Sequence, residues 1–105
     1  MIAHPDAADL TLDAVLHALA DPQRRAILAQ ITGAGRVSCA EVAPELPRST
    51  VSVHLKRLRE AGLIRQERQG QLIANEPRAD GARTRFGGLI DAVFAEDGAR
   101  VRARR

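Results

Sequence analysis

The chain has 105 residues, a net charge of +3, one cysteine, and neither tryptophan nor tyrosine. This length supports one domain (1–105) with a core, small enough for a dimer interface to matter to its stability. No run approaches 18 uninterrupted apolar residues, so no transmembrane helix is expected. The lone Cys39 cannot form an internal disulfide, and the missing aromatics leave no stacking platform for single-stranded nucleic acid.

The charge is uneven. Residues 1–21 carry Asp6, Asp9, Asp13 and Asp21 but no Lys or Arg, and all sixteen bases follow, fifteen of them Arg. Such asymmetry suits a body with one face turned to a polyanion. The start, Met1-Ile2-Ala3-His4-Pro5-Asp6, lacks the basic and apolar regions of a signal peptide, and with the single cysteine this points to the cytoplasm.

A first helix is predicted over about 9–20, where Leu12, Val15, Leu16 and Leu19 make an i, i+3, i+4, i+7 face, with His17 off that stripe. Asp21-Pro22 pairs an N-cap with a proline at the first helical position, opening a second helix to about Thr32. That helix buries Ile27, Leu28 and Ile31 and shows Arg24, Arg25 and Gln30; Gly33-Ala34-Gly35 breaks it. Ser38-Cys39-Ala40-Glu41 matches a capping box and predicts a short third helix burying Val42 and Leu46, ended by Pro44 and Pro47.

The fourth helix, about 48–61, carries an apolar stripe of Val51, Leu55 and Leu58. Ser49, Ser52, Val53 and Lys56 come out opposite it, with Thr50, His54 and Arg57 on a flank. Pro47 at its N-cap offers no side-chain acceptor. Gly62 ends the helix, and a hairpin follows over about 63–75 with its turn at Gln69-Gly70. Between residues 48 and 68 six bases face only two acids, Glu60 and Glu67. Short helix, tight turn, longer helix and hairpin make a winged helix-turn-helix. The predicted class is mainly α with a β-hairpin wing: about five helices and two strands, in the order α-α-α-α-β-β-α.

A last helix is predicted over about 82–98. Its stripe of Phe86, Leu89, Ile90, Val93 and Phe94 is the strongest in the chain and suggests pairing with a symmetry mate, together with the first helix. Gly87-Gly88 within it costs roughly 1 kcal/mol each relative to Ala. The end, Arg100 to Arg105, holds four Arg in six residues.

Several runs resemble the ArsR/SmtB family of bacterial winged-helix repressors. They are Ala18-Leu19-Ala20-Asp21-Pro22-Gln23-Arg24-Arg25-Ala26-Ile27-Leu28, the stretch from Ser49-Thr50-Val51-Ser52-Val53-His54-Leu55 through Gly62-Leu63-Ile64, and the hairpin tip at Gly70. The first two together are specific, and the resemblance covers about residues 9–98. It implies a homodimer with the first and last helices at the interface, repressing a promoter until a small effector releases it. The chain departs from the family's metal sensors. Where these carry a Cys-x-Cys pair it has Ser38 and Ala40 around Cys39, and its last helix offers Asp91, Glu96 and Asp97 but no histidine. No metal site and no cofactor are expected, because soft metals need several thiolates. A thiol or metal sensor built on Cys39 is the alternative within the family, and a winged helix serving protein contact is the alternative outside it. An enzyme is not expected: His4, His17 and His54 lie on separate elements, without a nucleophile–base pair or phosphate loop.

The resulting expectation is a regulator of double-stranded DNA. Arg48, Ser49, Thr50, Ser52, Val53 and His54 would lie near base edges, Lys56 and Arg57 near phosphate, and Arg65, Arg68 and Gln71 on the wing near the adjacent backbone or minor groove.

Overall fold

The computed structural model describes residues 2–103. Helix α1 (Leu12–Leu19) starts where Thr11 Oγ1 accepts the Ala14 amide at 3.1 Å. It covers its apolar stripe but is shorter than the predicted range of about 9–20, since residues 7–9 form a separate 3₁₀ turn. Helix α2 (Pro22–Ala34) opens with Asp21 Oδ1 accepting the Arg24 amide at 3.1 Å. That bond, the largest influence on it, holds the Asp21 carboxyl below the usual carboxylate range.

The region between α2 and the next helix departs most from expectation. No α-helix forms after Ser38. Val37–Ser38 make a short strand, β1, and Cys39–Glu41 a single 3₁₀ turn. Ser38 and Glu41 do not cap backbone amides: the Ser38 hydroxyl donates to Glu41 Oε1 at 2.7 Å. Pro44 denies a helix the amide and the space it needs there, and Ala43 turns back with φ +40°. Gln30 completes the turn from α2, its Nε2 donating to the Glu41 carbonyl and its Oε1 accepting the Ala43 amide.

Helix α3 (Arg48–Glu60) buries Val51, Leu55 and Leu58. It closes through Gly62 at φ +76°, with the Leu63 amide donating to the Leu58 carbonyl at 3.0 Å. Strands β2 (Ile64–Gln69) and β3 (Leu72–Pro77) follow. All three strands are antiparallel in the order β1-β3-β2, and Asn75 stands between Val37 and Gln66. The hairpin turns at Gly70-Gln71, one residue later than its sequence suggested, since Gln69 still pairs with Leu72. Gly70 takes φ +63° at the first loop position, as a II′-type hairpin requires.

Helix α4 (Ala82–Ala103) kinks at Phe86, directly before Gly87-Gly88, and runs past the predicted end. Arg104 and Arg105 of the basic tail lie outside the described residues. The core joins Val15, Ala18 and Leu19 of α1, Ile27, Leu28 and Ile31 of α2, the α3 stripe, Ile64 and Ile90. The described fold is therefore a winged helix-turn-helix with four α-helices and three strands, rather than five and two.

Candidate nucleic-acid interface

The outward arc of α3 carries Ser49, Ser52, Val53, Lys56 and Arg57, all exposed; Thr50 is half-buried. Val53 is 52% exposed, which leaves its methyls free to meet an apolar group. Pro47 leaves the first turn of α3 without a side-chain cap, and neither Ser49 nor Thr50 makes up for it. On the wing, Arg65, Arg68 and Gln71 are exposed. Arg65 reaches Asp80 at 3.3 Å and Arg57 reaches Glu60 at 3.5 Å, while Lys56 and Arg68 have no ion-pair partner among the described residues. Exposed pairs of this kind contribute little to stability, so these cations are free to exchange a carboxylate for a phosphate.

Two residues expected at base edges are engaged elsewhere. His54 is only 6% exposed. Its Nδ1 accepts from Arg24 Nε at 3.4 Å and its Nε2 lies 3.2 Å from Gln23 Oε1. It sits at i+3 from Val51 and i−4 from Leu58, which puts it on the buried stripe; counting only apolar residues hid this. Arg48 projects backwards, its guanidinium donating to the carbonyls of Cys39 (3.1 Å), Ala43 (2.6 Å) and Leu46 (3.1 Å). It secures the turn before α3 where no helix exists to satisfy those carbonyls.

Arg24 was expected on the surface and is buried. Its Nη1 donates to the carbonyls of His17 and Ala18, and Arg25 Nη1 donates to that of Leu19 at 2.8 Å. The two arginines cap the C-terminus of α1, so the Asp-Pro-Gln-Arg-Arg run serves folding.

The wing is rooted in a polar cluster that apolar periodicity did not reveal. Asn75 is fully buried. Its Nδ2 donates to the Val37 carbonyl at 3.1 Å and Cys39 Sγ at 3.2 Å, and its Oδ1 accepts from Gln66 Nε2 at 2.9 Å. Gln66 also accepts from Arg59 at the end of α3. The two-residue period of β2 carried the signal, since Gln66 shares a face with buried Ile64. Cys39 is half-buried and spends its sulfur as an acceptor here.

The hydrophobic residues expected at a dimer interface divide. Leu12 and Leu16 are 46% and 45% exposed, one turn apart on α1. Val15, Leu19 and Ile90 are buried in the protomer's own core and unavailable to a partner. Phe86, Leu89, Val93 and Phe94 are half-buried against that core. Among the described residues, no three His, Cys, Asp or Glu gather where they could hold a metal ion, and no helix is long and apolar enough to cross a membrane.

A family model for a helix-turn-helix domain matches residues 19–67, from the end of α1 into the wing. No curated protein matches the chain. Similar solved structures span most of it. An ArsR-like transcriptional regulator from Rhodococcus sp. RHA1 is 26% identical over 88% of this chain and 87% of that one, with TM-score 0.61. The homodimeric winged helix-turn-helix DNA-binding domain of Mb0332 from Mycobacterium bovis, described as a possible ArsR-family transcriptional regulator, is 25% identical over 91% and 92%, with TM-score 0.65. The chain carries a helix-turn-helix domain and is similar to ArsR-family winged helix-turn-helix regulators. HlyU from Vibrio cholerae N16961 is also similar, at 25% identity over 79% of this chain and 87% of that one, with TM-score 0.65. The helix-turn-helix domain and these similar regulators make the chain a DNA-binding transcriptional regulator.

Proposed function

We propose that this regulator is a homodimeric repressor of an inverted-repeat operator, each subunit laying α3 in a major groove. The observation that carries the reading is the exposed arc of Ser49, Ser52, Val53, Lys56 and Arg57 beside the wing cations Arg65 and Arg68. Short hydroxyls suit contact with base edges or phosphate, Val53 suits a thymine methyl, and the cations suit the flanking phosphates. His54 and Arg48 act behind this surface, fixing how α3 leaves the body. The homodimeric state of the Mycobacterium relative and the exposed Leu12–Leu16 ridge support pairing through α1, with the half-buried face of α4 beside it. Twofold pairing of two recognition helices requires half-sites about one helical turn apart. Fluorescence anisotropy against DNA upstream of the gene, with a scrambled duplex and a salt series, tests this. An operator-binding repressor gives a preference of roughly a thousandfold or more, with a steep loss of affinity as salt rises. Equal weak binding to both duplexes overturns it.

A further inference from the structure

The sheet order leaves β2 at an edge, where outward amides need a partner or water. The Gln66 amide points off that edge and donates at 2.9 Å to Nε2 of His4, in the segment preceding α1. Two arginines hold the same segment by its backbone: Arg78, itself buried, donates to the Pro5 carbonyl at 2.7 Å, and Arg85 to the Leu10 carbonyl at 2.7 Å. A groove of about 610 Å³ stays open between Ile2 and His4 on one side and Arg65 to Gly70 on the other. None of residues 2–6 is fully buried, so the hydrogen bonds to them weigh heavily in whether they stay.

We propose that residues 2–6 form an acid-released latch on the wing, in which the neutral imidazole of His4 holds the free edge of β2 and protonation lets it go.

The chemistry is local. Only an unprotonated ring nitrogen accepts an amide N–H; once protonated, Nε2 becomes a donor facing a donor. The charges around it act in the same direction. Arg65 on β2, Arg59 at the end of α3 and Arg78 after β3 are cationic. Of the nearby acids, Asp80 is engaged by Arg78 at 3.1 Å and Arg65 at 3.3 Å, and Glu67 by Arg36 at 3.5 Å. Burial first, then Arg65 and Arg59, hold His4 below the ordinary histidine value of 6.5. A base whose pKa is depressed on docking favours the docked form when neutral. The latch is therefore at full strength above that ordinary value, and weakens as the pH falls below it toward the depressed one. Because Gln66 also reaches Asn75 and Arg59, release acts on the strand that joins the wing root to the end of α3.

The test uses the protein free of DNA, so it stands apart from operator binding. Amide exchange and chemical shifts are followed by NMR from about pH 7.5 to about pH 5.5, the span in which histidine titrates. The Gln66 amide is expected to shift with the midpoint of the His4 ring and to lose protection in acid, while the amides paired between β2 and β3 keep theirs. His4→Ala should leave Gln66 unprotected at every pH. His4→Gln, whose side-chain carbonyl can accept the amide and does not titrate, should keep Gln66 protected at the acid end. A Gln66 amide that stays protected and unshifted in the parent protein, or that responds to pH identically in His4→Gln, overturns the latch.

Discussion

Arg24 on α2 donates its Nε–H to Nδ1 of His54 on α3 across 3.4 Å. A guanidinium can only donate, so Nδ1 must be the ring's acceptor, and Nε2 carries the hydrogen that Gln23 Oε1 takes at 3.2 Å. The ring of His54 thus joins the cap of α1 to α3. His54→Ala should cost about 2 kcal/mol in urea denaturation, since it leaves a buried arginine N–H and a small void. Affinity for all duplexes should fall alike. Altered base preference without lost stability would return His54 to the groove surface.

Lys56 and Arg57 are exposed on the outward arc of α3, the surface proposed to face DNA. Replacing either with Ala should weaken binding to every sequence and reduce the slope of log affinity against log salt by about 0.9 per lost phosphate contact. Ser52→Ala and Val53→Ala should instead change which base is preferred. Anisotropy on operator variants at several salt concentrations separates the two classes.

Asn75 satisfies three partners from a fully buried position. Asn75→Ala strands the Val37 carbonyl and the Gln66 amide group in the wing root, at about 3 kcal/mol. Thermal unfolding should show the loss, and the tip of the wing should exchange amide protons faster than the helices.

A Cβ on Gly81 would lie 2.2 Å from the carbonyl oxygen of Gly62, which also accepts the Ala82 amide at 2.9 Å. Backbone cannot yield as a side chain end can. Gly81→Ala should therefore separate the start of α4 from the end of α3 and lower the unfolding temperature by several degrees, at roughly 2 kcal/mol. Gly33→Ala, with nothing near its Cβ, is the matched control.

Leu12 and Leu16 form the exposed ridge of α1. Leu12→Glu with Leu16→Glu should shift the protein to monomer in sedimentation while leaving its far-UV circular dichroism unchanged, because neither side chain belongs to the protomer core. Unchanged sedimentation would remove α1 from the interface.

The sequence by itself determined the elements whose signal is local. The Asp21-Pro22 start, the Val51-Leu55-Leu58 stripe, the Gly62 stop and the Gly70 turn each rest on a rule acting within a few residues; the first three stand in the fold as expected and the turn stands one residue later. Their order and the runs from Ala18 and Ser49 were enough for the resemblance to ArsR-family regulators. Tertiary structure decided what each polar side chain does. His54 and Arg48 sit on α3 and read as DNA contacts, but Arg24 from 30 residues away claims the first, and the unsatisfied carbonyls of a failed helix claim the second. Strand β1 is two residues long and exists because Asn75 lies opposite it, so no alternation could announce it. The physical reason is shared: a buried polar group must find a partner, and that partner is set by chain segments far apart in sequence.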